Sequence, residues 1–165
     1  KIKLLKSNLG IPTFKEVLNF VDGKVPLLIE IKSENKKKLL APYVLRAINS
    51  YKGEYAIQSF NPYELIKIKE KDEKIERGML TYNWENAPID SLEKLFLKNL
   101  LFFPKIKPSF LSIHKDLVSQ KRFQAIRKFL KCDIIAWTLE NNFEVNKLDE
   151  FIDNFIFTKF YPKLS

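Results

Sequence analysis

Short apolar runs alternate along this chain with longer segments in which apolar residues recur at helical spacing. The chain contains six such runs, rich in β-branched and aromatic residues: 27–31, 55–60, 78–81, 110–113, 133–138 and 154–158. Apolar runs of this length, bounded by turn residues, are typical of buried strands. Strands that alternate with helices are typical of parallel sheets, and strand centres roughly 20–32 residues apart suit βα units. The pattern therefore predicts an α/β fold with six parallel strands.

Helix start signals lie in the polar segments between the runs. Thr13 and Glu16 have the spacing of a capping box, just before the apolar residues of a first helix. Asn61-Pro62 combines an N-cap residue with a proline at the first helical position. Further helix signals are Pro42, Ser91, the amphipathic segment 119–130 and the Asn141-x-x-Glu144 spacing. Predicted helices therefore alternate with the predicted strands.

Two charged residues interrupt the end of the first apolar run, Leu27-Leu28-Ile29-Glu30-Ile31-Lys32. Because side chains alternate faces along a strand, Glu30 and Lys32 are predicted to point the same way. A carboxylate and an ammonium at the end of an apolar strand are costly to desolvate unless they pair or bind a ligand. The segment is therefore either a strand-end salt bridge or a candidate binding site.

The composition fits a single domain over residues 1–165. The chain has 165 residues, of which 45% are hydrophobic. It is therefore long enough for one hydrophobic core and short for two domains. The single cysteine, Cys132, cannot form an internal disulfide, which favours a reducing cytoplasm. No apolar run approaches the ~20 residues that span a bilayer, and the start, residues 1–6, lacks the apolar core of a signal peptide. We therefore expect a cytoplasmic protein without a transmembrane segment.

The net charge of +9 raises the possibility of a nucleic-acid partner. Lys36-Lys37-Lys38 is the only run of three basic residues, and acidic residues are interspersed elsewhere, as in Glu70-Lys71-Asp72-Glu73-Lys74. A nucleic-acid-binding protein would instead concentrate basic residues and exposed aromatics on one face. The spread of charge favours a solvated basic surface, still compatible with anionic phosphate ligands, and no nucleic-acid partner.

Several motifs, in one order along the chain, resemble the glycerophosphodiester phosphodiesterase family. Residues 11–18, IPTFKEVL, followed by IEIK at 29–32, look like the middle of that family. Residues 58–62, QSFNP, resemble its next marker, and IAWTL at 135–139 is similar to a later strand. Residues 156–158, IFT, with Tyr161-Pro162, resemble its closing segment, although Lys159-Phe160 stand where the family usually has one acidic or polar residue. Together these motifs cover nearly the whole chain.

The resemblance implies a TIM-barrel-like (β/α) sheet with about six of the eight βα units, an incomplete or open barrel. The family's His-Arg-Gly, Glu-x-Asp and His-Asp motifs, which carry two catalytic histidines and two metal ligands, do not occur in the sequence. The only histidine, His114, matches none of these motifs and is interpreted as a polar residue at a strand end. An open barrel would expose the edge of the 27–31 strand, which favours a homodimer or a completing N-terminal polypeptide as partner.

Position by position, the resemblance assigns four site residues and no catalytic residue. Glu30 matches a carboxylate ligand of a divalent cation, Mg²⁺ or Ca²⁺, although one carboxylate alone is too little to hold either ion. Lys32 matches a basic residue near the substrate phosphate. Phe60 and Trp137 match aromatic residues that line the substrate pocket at strand ends, with rim packing as the alternative interpretation. Ser59 is not a nucleophile candidate, because no histidine or aspartate accompanies it in sequence.

Three functional hypotheses follow. The first is a hydrolase of lipid metabolism, a phosphodiesterase that uses a metal cofactor to cleave glycerophosphodiesters to glycerol 3-phosphate and an alcohol. Under this hypothesis, residues 1–165 are inactive alone. The second is a non-catalytic relative that binds phosphorylated ligands or a partner chain. The third, ranked last, is an unrelated basic nucleic-acid-binding protein. In-frame His-Arg-Gly, Glu-x-Asp and His-Asp motifs upstream of Lys1 would distinguish the first hypothesis from the second.

Overall fold

The computed structural model of the protein describes residues 10–33 and 38–162. The basic start at residues 1–6, and Lys36 and Lys37 of the three-lysine run, lie outside the described residues. Every predicted strand and every predicted helix lies within the described ranges.

The six predicted strands are all present and form one parallel sheet in the order β1-β2-β3-β4-β5-β6. The sheet curls into a half-barrel, which confirms the prediction of an incomplete TIM-barrel-like α/β fold. The strands are β1 (Leu27–Glu30), β2 (Tyr55–Ser59), β3 (Arg77–Thr81), β4 (Phe110–His114), β5 (Asp133–Leu139) and β6 (Asn154–Phe157).

The helices begin where the sequence signals predict. Thr13 and Glu16 form the full capping box, and Asn61 and Asn141 each accept a hydrogen bond from the first turn of their helix. The helices are α1 (Phe14–Val21), α2 (Ala41–Ile48), α3 (Pro62–Lys71), α4 (Ser91–Lys98), α5 (Phe103–Ile106), α6 (Lys121–Leu130) and α7 (Asn142–Leu148). The short α5 and the 3-10 turns at Trp84–Asn86 and Asp149–Phe151 were not predicted, because so few residues carry no periodic signal.

The core lies between the sheet and the helices. Its fully buried side chains include Ile57, Leu65, Leu111, Phe123 and Ile134. The apolar patterns of two helices predicted more buried side chains than the structure shows. Segment 119–130 is amphipathic, yet two of its apolar residues, Phe129 and Leu130, are 76% and 56% exposed, and Leu92 and Leu95 of α4 are exposed as well. A helix that packs on a sheet buries one stripe of side chains, so apolar residues beside that stripe stay in solvent.

The strand registers place two rows of side chains on the inner face of the half-barrel, the face that carries Glu30. Glu30 is paired with Gln58, and Gln58 with Gly78. The next row along the same face consists of Leu80, Ser112 and Ile135. Between the two rows the Ser112 hydroxyl donates a 2.6 Å hydrogen bond to Oε1 of buried Gln58, across the intervening β3. This bond satisfies two buried polar side chains and ties β2 to β4.

A glycine in the row of Glu30 and Gln58 makes room for an aromatic ring. Gly78 of β3 is paired with Phe110 of β4, and a Cβ atom at position 78 would lie 1.9 Å from Cε2 of the Phe110 ring. Van der Waals contact between carbons requires about 3.5–4.0 Å. Glycine is therefore required at position 78 by the close approach of that ring.

Two further observations concern the single cysteine and the lengths of the helices. Cys132 is buried and free, and burial raises the pKa of its thiol to about 12. Within the described ranges, no helix is long and apolar enough to cross a bilayer.

Candidate functional site

Glu30 and Lys32 lie together at the carboxyl end of β1. Glu30 is the last residue of the strand, and Lys32 follows in the β1–α2 loop with its Nζ 3.9 Å from a Glu30 carboxylate oxygen. The Lys32 side chain is 82% exposed and that of Glu30 is 30% exposed. An ion pair this long and this accessible to water stabilises a fold very little. Both charged groups are therefore accessible to a ligand.

The predicted site residues of β1 and β2 line one cavity. Glu30, Lys32 and Phe60 contribute to a cavity of about 720 Å³, and Lys38 and Leu40 also line it. Among the described lining residues, two lysines and one carboxylate give a net positive charge, which suits an anionic phosphate ligand. The structure thus brings together three residues that the resemblance assigned to metal and substrate binding.

The β2–α3 turn holds the loop that carries Lys32. The Ser59 hydroxyl donates a 2.7 Å hydrogen bond to the carbonyl of Ile31 and accepts one from the Asn61 backbone N–H at 3.1 Å. The Asn61 side-chain amide donates to the carbonyl of Ser33 at 3.3 Å. Ser59 is thus engaged in positioning the end of β1.

Glu64 holds the end of the β1–α2 loop where α2 begins, a role that the sequence pattern did not predict. This carboxylate of α3 is fully buried and accepts hydrogen bonds from the backbone N–H groups of Leu40, at 2.8 Å, and Ala41, at 2.7 Å. These donors lie at the start of α2, where backbone N–H groups have no partner within the helix. An acidic residue in the first turn of α3 signals only a favourable interaction with the dipole of that helix. Its bond to α2 depends on tertiary packing.

Aromatic side chains gather at the carboxyl ends of β2, β3, β4 and β5. The Phe60 ring packs edge-to-face against Trp137, with centroids 5.6 Å apart, and the Trp137 ring packs in the same way against His114 at 5.0 Å. Phe60 also contacts Tyr82 and Trp84, at 5.5 Å and 5.9 Å. Trp137 is therefore linked through Phe60 to the cavity that contains Glu30. Within the described residues, the Trp137 indole Nε1 is the buried side-chain polar atom without a hydrogen-bond partner.

An ion pair joins the loop that follows β4 to helix α7, which follows β5. Lys115 Nζ lies 2.6 Å from Oε1 of Glu144, and the other carboxylate oxygen of Glu144 accepts a 2.8 Å bond from the backbone N–H of Glu140. The hydrogen bond from Lys115, followed by that from Glu140, lowers the pKa of the Glu144 carboxyl below its usual range. The same bond to Glu144 raises the pKa of Lys115. Glu144 of α7 thus links the loop after β4, through Lys115, to the loop after β5, through Glu140.

The described residues do not form a complete metal site. Glu30 offers one carboxylate, and nowhere in the ranges 10–33 and 38–162 do three His, Cys, Asp or Glu side chains converge as a metal cluster would. Hard divalent cations take six or more oxygen ligands, several of them from the protein. Glu30 can therefore be one ligand of such a cation, and the other ligands would have to come from elsewhere.

These features define a class of protein. Parallel βα units in a curled sheet, with charged and aromatic side chains lining a cavity at the carboxyl ends of the strands, are typical of TIM-barrel-like proteins. Within that class, the sequence model of the glycerophosphoryl diester phosphodiesterase family matches residues 1–161, and the chain belongs to this family. None of the curated proteins matches the chain.

Solved structures of phosphodiesterases share the fold. A phosphodiesterase from Oleispira antarctica, in complex with the product sn-glycerol-3-phosphate, superposes with a TM-score of 0.69 at 17% identity, over 88% of this chain and 57% of its own. A glycerophosphodiester phosphodiesterase from Parabacteroides distasonis gives 0.66 at 17% identity, over 88% and 59%. The enzyme from Thermotoga maritima gives 0.62 at 23% identity, over 88% and 59%. The chain thus spans less than two thirds of the length of these proteins.

Proposed function

We propose that this chain forms part of the substrate site of a glycerophosphodiester phosphodiesterase, which hydrolyses a glycerophosphodiester to glycerol 3-phosphate and an alcohol. The observation that carries the proposal is the shared cavity of Glu30, Lys32 and Phe60 at the carboxyl end of the sheet. Membership of the family supports it. The product-bound state of the similar phosphodiesterase from Oleispira antarctica also supports it.

In this proposal each residue of the cavity has one task. Glu30 supplies one oxygen ligand to a divalent cation, Mg²⁺ or Ca²⁺, which when bound offsets negative charge on the phosphodiester. Lys32, with its ammonium in solvent beside Glu30, attracts and orients the phosphate. Phe60 and Trp137 pack against the carbon skeleton of the substrate. Their edge-to-face contact fixes both rings and so limits where that skeleton can lie.

The acid–base step requires groups that residues 1–165 do not supply. Hydrolysis of a phosphodiester needs a base to activate water and an acid to protonate the departing alkoxide. The sequence has a single histidine, and His114 packs against Trp137 and lies 3.4 Å from Asp116. We therefore propose that residues 1–165 bind ligand without turning it over.

The test measures glycerol 3-phosphate released from glycerophosphodiesters, with and without a chelator. We expect chelator-sensitive release by the protein as its gene encodes it and no release by residues 1–165. Glu30→Gln should abolish most of the activity, whereas Glu70→Gln, an exposed change on α3, should not. An unaffected rate in Glu30→Gln would refute the role of Glu30. Chelator-sensitive turnover by residues 1–165 that is lost with Glu30 would refute the proposed inactivity.

The single histidine also favours a second candidate, a non-catalytic relative that binds phosphorylated ligands or a partner chain. This alternative predicts that residues 1–165 bind glycerol 3-phosphate, that Lys32→Ala weakens the binding, and that no encoded form of the protein hydrolyses the diester. Sedimentation equilibrium tests the expected homodimer or completing polypeptide. β1 and β6 are the outer strands of the sheet, and their backbone groups are the natural place for such a partner to pair.

A further inference from the structure

A buried side-chain amide lies beside Glu30 on the inner face of the half-barrel. Gln58 is paired with Glu30 on one side and with Gly78 on the other. Side chains of paired residues on adjacent strands point to the same face of a sheet. Gln58 is only 4% exposed, and buried polar side chains are almost always hydrogen-bonded. The hydrogen-bond partners of this amide therefore indicate what the inner face can bind.

The oxygen end of the Gln58 amide has its partner within the fold. The Ser112 hydroxyl donates the 2.6 Å hydrogen bond that Oε1 accepts, and Ser112 is itself fully buried. That bond satisfies the Ser112 hydroxyl and the carbonyl end of the amide. Because the oxygen and the nitrogen of a planar amide point in different directions from one carbon, the NH₂ group is turned away from Ser112. The orientation of the amide is thus fixed before any ligand binds.

The nitrogen end of the Gln58 amide has no hydrogen-bond partner within the ranges 10–33 and 38–162. It also differs from Trp137 Nε1, the side-chain nitrogen in those ranges that is both without a partner and wholly buried. Gln58 Nε2 therefore keeps some surface open. An amide NH₂ group carries two donors and no acceptor. The group that completes its hydrogen bonding must present an oxygen acceptor.

The space beside the amide opens toward β1. On the β3 side, the Phe110 ring lies over Gly78 and offers no hydrogen-bond acceptor. On the β1 side, Leu28 lies two residues before Glu30 on the same face and is 43% exposed. A ligand can therefore reach the inner face from β1, the strand whose end carries Glu30 and is followed by Lys32.

We propose that Gln58 is a phosphate-binding residue, whose Nε2 donates a hydrogen bond to a phosphate oxygen of the ligand that Lys32 attracts. Phosphate oxygens are strong acceptors, and hydrogen bonds to them are assisted by their charge. A neutral amide supplies this donor beside Glu30 without a second positive charge. Ser112 acts as a positioning residue, because it fixes the amide and so reduces the conformational freedom lost on binding. The inference rests on the proposed function and extends it by one ligand contact.

The test uses residues 1–165 and follows the side-chain NH₂ signals of Gln58 in ¹⁵N-resolved NMR spectra. These signals are identified as the pair that the Gln58→Glu variant lacks. Inorganic phosphate and glycerol 3-phosphate should both shift them in a saturable way, whereas glycerol should not. The proposal would be overturned if phosphate did not bind, if it bound without moving these signals, or if only ligands that contain glycerol moved them. Because the shifts are measured in the unaltered chain, this test does not depend on the folding of a variant.

Variants measure the contribution of the donor. Gln58→Glu keeps an oxygen that can accept from Ser112 and removes both N–H donors, so phosphate binding should weaken by about 10-fold or more. The matched control is Gln120→Glu, which makes the same change of charge at an exposed residue before α6 and should leave the affinity unchanged. Ser112→Ala keeps the donors but frees the amide, and should cause a smaller loss than Gln58→Glu. Equal affinity of Gln58→Glu and Gln120→Glu for phosphate would refute the role of Gln58.

These binding measurements are separate from the hydrolysis assay of the proposed function. If Gln58→Glu bound phosphate normally while the protein as its gene encodes it showed chelator-sensitive hydrolysis, the role of Gln58 would be refuted and the phosphodiesterase proposal would stand. If phosphate shifted the Gln58 signals and no encoded form of the protein hydrolysed the diester, the phosphodiesterase proposal would be refuted and the phosphate contact would stand.

Discussion

Replacing Glu64 with alanine removes the carboxylate that joins α3 to the start of α2. In the folded protein this carboxylate is fully buried and accepts two short hydrogen bonds, from Leu40 N–H and Ala41 N–H. The variant leaves both donors without this partner at a helix end where Ala41 is fully buried and Leu40 is 42% exposed. We therefore expect a large loss of stability from a single side chain.

The size of the loss follows from these contacts. A hydrogen bond to a charged group contributes about 1.5–3 kcal/mol, and a negative charge at a helix N-terminus adds about 0.3–1 kcal/mol. The variant also removes the desolvation cost of a buried carboxylate, which reduces the sum. We expect Glu64→Ala to lower the free energy of unfolding by about 3 kcal/mol. Glu64→Gln should lose about half as much, because its amide oxygen still accepts one bond while its NH₂ group faces the second donor.

Urea denaturation followed by tryptophan fluorescence and circular dichroism measures these differences. The matched control is Glu70→Ala on the same helix, where the carboxylate is 57% exposed and pairs only with Lys67 at 3.1 Å. This control should change stability by less than about 0.5 kcal/mol. A Glu64→Ala variant as stable as the Glu70→Ala control would refute the reasoning, because removing the partner that the two N–H groups share would then cause no loss of stability.

Two further predictions concern the inner face and the strand-end loops. Gly78→Ala should destabilise the fold by about 1–3 kcal/mol, because the added Cβ overlaps the Phe110 ring. In a double-mutant cycle, the same change in a Phe110→Ala background should lose most of that penalty. Additive effects of the two changes would contradict the steric explanation. The Glu144 carboxyl should titrate below its usual range by ¹³C NMR, so that its stabilising contribution is present near neutral pH and is lost as the pH falls through its lowered pKa. Lys115→Ala should raise that pKa, whereas Lys159→Ala, which removes a partner of Glu140, should not; equal titration in both variants would contradict the role of the Lys115 bond.

Local patterns predicted the six strands and the longer helices. The capping box at Thr13 and the N-cap at Asn61 are visible in sequence because each depends on contacts between residues two or three apart. The six strands were visible because each is a short apolar run between turn signals. The four-residue helix Phe103–Ile106 was missed, since it is too short for a helical period to appear.

The sequence pattern likewise predicted one part of the candidate site and not another. The two-residue period of a strand predicts that Glu30 and Lys32 share a face, and they lie 3.9 Å apart. Their assigned roles in metal and phosphate binding stay predictions. The pattern does not tell a salt bridge from an accessible pair, because solvent exposure depends on what the rest of the sheet covers. In the structure, the 82% exposure of the Lys32 side chain points to an accessible pair.

The residues around that pair came together only in the tertiary structure. Phe60 and Trp137 touch because β2 and β5 curl toward each other, and Tyr82 and Trp84 join them from the loop after β3. Glu64, Leu40 and Ala41 meet because α2 and α3 pack side by side. Periodicity, caps and motifs report neighbours along the chain, and they therefore predicted the elements, the family and the Glu30–Lys32 pair. Contacts across the sheet depend on its curvature and on helix packing, which are properties of the whole fold.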